Sequence, residues 1–342
     1  MKIQTTNNTP LETRATVTES TKTIYSIDGQ KLKRLLEASL LWLKANQQLV
    51  NSLNVFPVPD GDTGTNMLLT MQAAFNEIAN SSESNIGKMA KDIAQGALMG
   101  ARGNSGVILS QIWRGFARAL DNLPEMDSVI FTRALSESKN TAYKGVVRPV
   151  EGTILTVIKD VSMAVENASV KTTNLVELLG IAVQAADESV KYTPELLPVL
   201  KSAGVVDSGG KGLFFILDGM LRYLNGHSLD ASAVTVQPIA TMDLADSMED
   251  IEEGQDVEVV VDFTTAQPLD LEHFYQDLSK IGTSIQVGEG DGMYRMHIHV
   301  EDSRQNEPLT YIASIGSWSK VAMENLKLQM ENKKKSSQNY EL

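Results

Sequence analysis

Between Ser26 and Asn225, apolar residues recur at the spacing of one helix face in segment after segment. The alternation of a half-buried strand never takes hold there. In "DGQKLKRLLEASLLWLKANQQLVNSL" the apolar positions are Leu32, Leu35, Leu36, Leu40 and Leu43, with Asp28 placed to cap the helix start. "TNMLLTMQAAFNEIANS", "SNIGKMAKDIAQGALMGARG", "SGVILSQIWRGFARAL", "SVIFTRALSESKNTAYKGV", "GTILTVIKDVSMAVENA", "NLVELLGIAVQAADESVKYT" and "GGKGLFFILDGMLRYLNG" repeat the pattern. About eight helices in a row predict an antiparallel bundle or barrel, and argue against a doubly wound sheet or an actin-like kinase.

Composition then changes. "TMDLADSMEDIEEGQD" is acidic with no basic residue and reads as a linker. Beyond it, "VEVVVDF" reads as a strand, "DLEHFYQDLSKIG" as a helix, "TSIQVGEGDGMYRMHIHVED" as a strand pair and "EPLTYIASIG" as a helix, giving a small α+β domain. The expected organisation is a disordered tail over 1–23, a helical domain over 24–227, a linker over 228–255, an α+β domain over 256–330 and a polar tail over 331–342. The net charge of -13 disfavours nucleic acid and anionic membranes as partners, and no apolar run approaches a membrane span. With no cysteine and no signal-peptide pattern, a cytoplasmic protein is expected.

Chemistry concentrates in four loops. "NVFPVPDGDTGTNM" sets Asp60 and Asp62 two residues apart, in a loop braced by Pro57 and Pro59, and opens a helix at once. Two such carboxylates reach one cation or two neighbouring ones, and Mg²⁺ prefers oxygen ligands shared with phosphates. The N–H groups of the helix start at Thr63–Asn66 suit further phosphate oxygens. An EF-hand is excluded, because its sixth and twelfth positions would be Thr65 and Met71. A lone aspartate here would serve equally well as a helix cap, but the whole constellation favours metal and phosphate. "GARGNSG", Gly100 to Gly106, is a second glycine loop before a helix and lacks the ending of a Walker A loop. "KGVVRPVEGTI" brings Gly145 and Thr153, with Ile154 as apolar wall, and "AGVVDSGGKG" brings Asp207 before another helix. In an antiparallel bundle alternate connections share an end, so these four loops are expected to converge on one rim.

In this order the four segments resemble the nucleotide-binding subunit of dihydroxyacetone kinases. They resemble still more closely the catalytic subunit of bacterial fatty acid kinases, over about Tyr25 to Met330. The resemblance implies an eight-helix antiparallel barrel holding ATP or ADP and two Mg²⁺ ions at one rim. It places Asp60 and Asp62 as catalytic metal-binding carboxylates, with Asn54 near a third metal ligand. It puts Thr63, Gly64, Thr65 and Asn66 on phosphate, Asn104 and Ser105 on a second phosphate loop, and Gly145, Ile154, Asp207, Ser208 and Gly209 around the nucleotide. The implied reaction is transfer of phosphate to a fatty acid carboxylate on a separate fatty-acid-binding protein. Dihydroxyacetone as acceptor, or a non-catalytic nucleotide-binding regulator, are the alternatives. A homodimer is implied, and so is a third domain beyond these 342 residues that docks the carrier.

The second domain resembles the fatty acid kinase middle domain. "MHIHVED" carries His297 and His299 two apart, hence on one face of a strand. The resembling domain pairs such histidines with a cysteine to bind Zn²⁺. Here Glu258 in "DVEVVVDF" stands as the substitute oxygen donor, and a lapsed zinc site is the competing reading.

Overall fold

A computed structural model of the protein describes residues 23–229, 256–290 and 292–326. The expected tails and most of the acidic linker lie outside the described residues. Eight long helices fall where the periodicity puts them: α1 (Gly29–Ala45), α3 (Thr63–Ile78), α4 (Ile86–Gly100), α5 (Gly103–Ala119), α6 (Ser128–Lys144), α7 (Ile154–Ser169), α8 (Leu175–Leu196) and α10 (Ser208–Asn225). Two six-residue helices, α2 (Gln47–Ser52) and α9 (Pro198–Ala203), are additions, too short to carry a periodic signal in the sequence. A two-residue ribbon is also new: β1 (Ser26–Ile27) pairs antiparallel with β2 (Met126–Asp127).

Side chains fix most helix starts. Asp28 accepts from the Lys31 N–H at 2.8 Å, Asn85 from Lys88 at 3.0 Å and Asp127 from Ile130 at 2.9 Å, each satisfying a donor the helix itself leaves open. The apolar stripes then close on one another. Each long helix packs on its chain neighbour, and α1 packs on both α3 and α10, so the row becomes a ring. The α1–α10 seam is bonded as well as packed. Buried Ser39 donates to the Ile216 carbonyl at 2.9 Å, and Trp42 Nε1 donates to Asp218 Oδ2 at 2.8 Å. Leu36, Leu43, Met67, Met71, Ile93, Val157 and Ile158 form part of the core within the ring.

The second unit is a four-stranded antiparallel sheet in the order β4-β5-β3-β6, built from β3 (Val257–Thr265), β4 (Thr283–Glu289), β5 (Tyr294–Val300) and β6 (Gly316–Asn325). Side chains alternate between its faces. Val259, Val261, Phe263, Met296, Ile298 and Val300 meet Phe274 and Leu278 of α11 (Leu271–Leu278) and Ile312 of α12 (Glu307–Ile315) in a separate core. The opposite face carries Glu258, Asp262, Gln286, Arg295, His297 and His299 and turns toward the helical ring. β6 has no counterpart among the expected strands, because most of its side chains are exposed and the apolar alternation is weak.

The two units are sewn together. Arg295 is buried with Asp262, bonded through Nε to Oδ1 at 2.5 Å and through Nη2 to Oδ2 at 2.6 Å. Its Nη1 caps the end of α4 on the Leu98 carbonyl at 2.6 Å and the Ala101 carbonyl at 3.2 Å. Past α6, Val147 N donates to Ile285 O at 3.4 Å and Val287 N to Gly145 O at 3.1 Å, so this loop adds a short extra strand to β4.

Close approach of α5 and α6 depends on Gly115, where an added Cβ would sit 2.2 Å from the Glu137 carbonyl oxygen. Gly115→Ala is expected to push the two helices apart and cost about 1–3 kcal/mol, measured as a shift in the urea midpoint at unchanged slope.

Candidate functional site

A cleft of about 550 Å³ opens where the first turns of α3, α5, α7 and α10 meet the polar face of the sheet. These are alternate members of the ring, so their N-termini share one rim. Four positive dipole ends therefore face one space, with first-turn N–H groups of α3, α7 and α10 already engaged by Asn54, Asn51, Thr153 and Asp207. The cleft is lined by Asn54, Asp60, Asp62, Thr63, Asn66, Asn104, Ser105, Ile154, Asp207, Ser208 and Gly209 from the ring, and by Glu258 and His299 from the sheet.

Asp62 stands at the N-cap position of α3, yet its carboxylate does not cap the helix. Asp28, Asp127, Asp207 and Asp270 in the same position all do. Gly61 lies between the two carboxylates with φ +66°, a turn that side-chain-bearing residues resist. Asp60 and Asp62 both line the cleft and offer only oxygen donors, the donor set that Mg²⁺ takes.

Asn54, expected near the metal, lines the cleft and is also engaged within the protein. It is 2% exposed, its amide donates to the Val58 carbonyl at 2.6 Å, and its oxygen accepts from Thr63 N at 3.0 Å and from the Thr63 hydroxyl. It therefore ties the aspartate loop to the first residue of α3. Gly64 and Thr65 face away from the cleft onto α2. Thr65 N donates to Asn51 Oδ1 at 3.1 Å, and the Thr65 hydroxyl accepts from Gln47 at 2.9 Å and from the Asn51 amide at 3.1 Å. Gly145 lies behind the lining, engaged with β4. Their offsets from Asp62 and Ile154 in sequence do not reveal which way a helix start is rotated.

Asp207 locks two helix starts together. Its Oδ2 accepts from Gly210 N at 2.6 Å, and the Ile154 N–H also donates to its carboxylate. Next to it, the Ser208 hydroxyl donates to Thr63 Oγ1 at 3.1 Å, joining α10 to α3. Burial raises the Asp207 carboxyl to about 7, against the lowering effect of those two N–H groups.

Part of the lining is apolar. Phe56, Val58, Ile108, Val150, Leu197 and Val199 make a wall suited to a flat ring, and exposed Arg148 supplies a cation. Thr283, Ser284, Ile285 and Gln286 of β4 complete the far side, a contribution that only the docking of the two units reveals.

Glu258, His297 and His299 gather as their spacing predicts. Glu258 is the cross-strand partner of His299, and one ligand atom from each residue lies within 4.8 Å of the others. His297 is fully buried and does not itself line the cleft. Its Nε2 lies 2.7 Å from Glu258 Oε1, in an ion-pair contact. His297 Nε2 and Glu258 Oε1 face each other, while His297 Nδ1 and His299 Nδ1 are buried without a hydrogen-bond partner among the described residues. Burial, helped by His297, drops His299 to about 3, so it is a neutral imidazole with lone pairs to give. Burial works against ionisation of Glu258, but His297, then His299, then Arg102 hold its carboxyl below the usual value. A neutral imidazole, an anionic carboxylate and unpaired nitrogens form a donor set that fits Zn²⁺.

Two known domain families match parts of the chain. Residues 57–222 match the DAK2 domain, and residues 252–333 match the middle domain of FakA-like fatty acid kinases. The chain thus carries a DAK2 domain followed by a FakA-like middle domain. It is 40% identical over 315 residues to protein YloV of Bacillus subtilis (strain 168), an alignment covering 90% of this chain and 57% of that protein. It is 39% identical over 313 residues to an uncharacterized protein of Staphylococcus aureus (strain USA300), covering 90% and 57%. The chain therefore spans little more than half the length of these relatives. Among solved structures, the dihydroxyacetone kinase from C. freundii in complex with AMP-PNP and Mg²⁺ is similar at a TM-score of 0.43 and 16% identity, over 65% of this chain and 38% of that one. No helix among the described residues is long and apolar enough to cross a membrane.

Buried Asp207 gives the folded protein an acid signature. Folded, it keeps its proton up to about pH 7; unfolded, it loses it near about pH 4. In that interval the folded state binds more protons, so stability falls as pH rises. Asp207→Asn is expected to flatten this fall, measured as a smaller difference between urea unfolding free energies at pH 5 and pH 7.5.

Proposed function

We propose that this chain is the nucleotide-binding part of a Mg-ATP-dependent phosphotransferase acting on a small acceptor presented by a partner protein, with a fatty acid carboxylate as the acceptor. The observation that carries the reading is the convergence of four helix N-termini on Asp60 and Asp62 in one cleft. Phosphoryl transfer depends on positioning and charge neutralisation, and this arrangement supplies both.

Asp60 and Asp62 would hold Mg²⁺ here. When bound, Mg²⁺ offsets negative charge on the transferring phosphate. The N–H groups opening α5, with Asn104 and Ser105, would take phosphate oxygens, while at α3 the Thr63 and Thr65 N–H groups are engaged by Asn54 and Asn51. Phe56, Val58, Ile154 and Leu197 would cover the base and exclude water. Asp207, engaged by two N–H groups, keeps α7 and α10 in register rather than acting on substrate.

The described lining supports a carboxylate acceptor. His299 is held neutral far below its ordinary value, Glu258 is paired with His297, Asp207 is occupied, and Asp60 and Asp62 are assigned to metal. A hydroxyl acceptor such as dihydroxyacetone would need a base from elsewhere. A carboxylate acceptor is already ionised near neutral pH and needs none.

Thermal unfolding with ADP, with and without Mg²⁺, tests the site. At about a hundred times its dissociation constant, Mg-ADP should add about 2.7 kcal/mol to the wild type. Asp62→Ala should abolish that gain and leave the melt without nucleotide unchanged. No Mg-dependent gain in the wild type would refute the reading. Phosphorylated product formed on an acyl-carrying protein, and none from free dihydroxyacetone, would separate the acceptors.

A second metal site is favoured by the gathering of Glu258, His297 and His299 and by the unpartnered Nδ1 atoms of the two buried histidines. Purified protein is expected to hold about one Zn²⁺ per chain by atomic spectroscopy, with the ion lost from His299→Ala and weakened in Glu258→Gln. Wild-type protein that refuses Zn²⁺ on titration would mark the cluster as a lapsed site.

A further inference from the structure

We infer that Gln286, in the second domain, positions Asn104 to donate to nucleotide phosphate, which makes the sheet a working wall of the site. The inference rests on the nucleotide reading above.

β4 is built to bring an amide to this point. Thr283 pairs with His299 and Gln286 pairs with His297, so three steps along β4 oppose two along β5. Without that extra residue, Ile285 would lie opposite His297, on the polar face. Ser284, inside the bulge, adopts φ +51°, a conformation uncommon for a non-glycine residue. The slip returns Ile285 to the apolar core and turns Gln286 toward the ring. Gln286 is then held on both sides, by its pairing with His297 and by its bridge to Val146.

Gln286 is 4% exposed, and its Nε2 donates closely to Asn104 Oδ1. Asn104 is the second residue of α5 and lines the cleft with Asp60 and Asp62. An asparagine amide has one acceptor end and one donor end. With the oxygen engaged by Gln286, the NH₂ end remains, and a donor suits an anionic phosphate oxygen. Gln286 therefore decides which end of Asn104 a nucleotide meets. Its own Oε1 is buried without a hydrogen-bond partner among the described residues, so Gln286 is held by this one side-chain contact.

The test is a double-mutant cycle on Mg-ADP affinity, measured by calorimetry, with melting temperature without nucleotide as the control for folding. Asn104→Ala and Gln286→Met should each weaken binding about tenfold, and the double variant should be within about twofold of Asn104→Ala. Asn104→Asp leaves Gln286 in place, keeps an oxygen for it and replaces the outward NH₂ by oxygen. It should bind at least as weakly as Asn104→Ala, and this arm decides if Gln286→Met fails to fold. Wild-type affinity in Gln286→Met or Asn104→Asp would overturn the inference. So would losses that multiply to about a hundredfold in the double variant, because Gln286 would then act independently of Asn104. A wild type that binds no Mg-ADP would remove the nucleotide reading itself, and this inference with it.

Discussion

The contact on which the arrangement turns is Arg295 with Asp262, seated at the end of α4. Both groups are almost wholly withdrawn from water, which is costly for two charges. The cost is offset because every partner is in place: a two-point guanidinium–carboxylate pair and two carbonyls at the C-terminal end of a helix, where a cation is favoured. Loss of either partner would strand the other charge, an effect of about 3–5 kcal/mol for such pairs. Its position matters as much as its strength. The Ala101 carbonyl it grips lies two residues before α5 begins, so the sheet is fixed beside the turn that aims Asn104 and Ser105.

From that joint the cleft follows by geometry. A ring of antiparallel helices sends every second N-terminus to the same rim, and the chain uses those four places for its polar, glycine-bearing starts. The bonds that make the site rigid run between these starts: Asp207 to Ile154 and Gly210, Ser208 to Thr63, and Thr63 to Asn54. Two of them, Asp207 to Ile154 and Ser208 to Thr63, span residues far apart in sequence. The site is thus a network of helix beginnings, braced behind by α2 and in front by β4.

The division between what was legible in sequence and what was not follows from the range of each interaction. The helices were legible because amphipathic periodicity is local, and the shared rim because antiparallel order carries it. Asp60 and Asp62 could be read from their spacing. That Asp62 leaves its own helix uncapped could not, since Asp28 and Asp127 look the same in sequence and do cap. The partners of Asn54, Gly64 and Thr65 could not be read, because they are fixed by tertiary packing. The His297–His299 spacing signalled a shared face, Glu258 was expected beside them, and the strand register shows how it gets there. Gln286 had no signal at all: it follows a bulge and acts on another domain. β6 is silent in the sequence because an exposed edge strand needs little apolar alternation.

The seam between α1 and α10 has a consequence for how the chain comes into being. Ser39 and Ile216 are 177 residues apart, as are Trp42 and Asp218 by 176, so the stave that closes the ring is made long after the first. Contacts of such separation carry the largest loop-closure entropy and form late. Until α10 leaves the ribosome, α1 through α8 can form only an open row, with the apolar flank of α1 lacking its final neighbour. The aspartate loop belongs to the early part and Asp207 and Ser208 to the last stave, so closing the ring also assembles the helical side of the cleft, and the sheet wall comes after it.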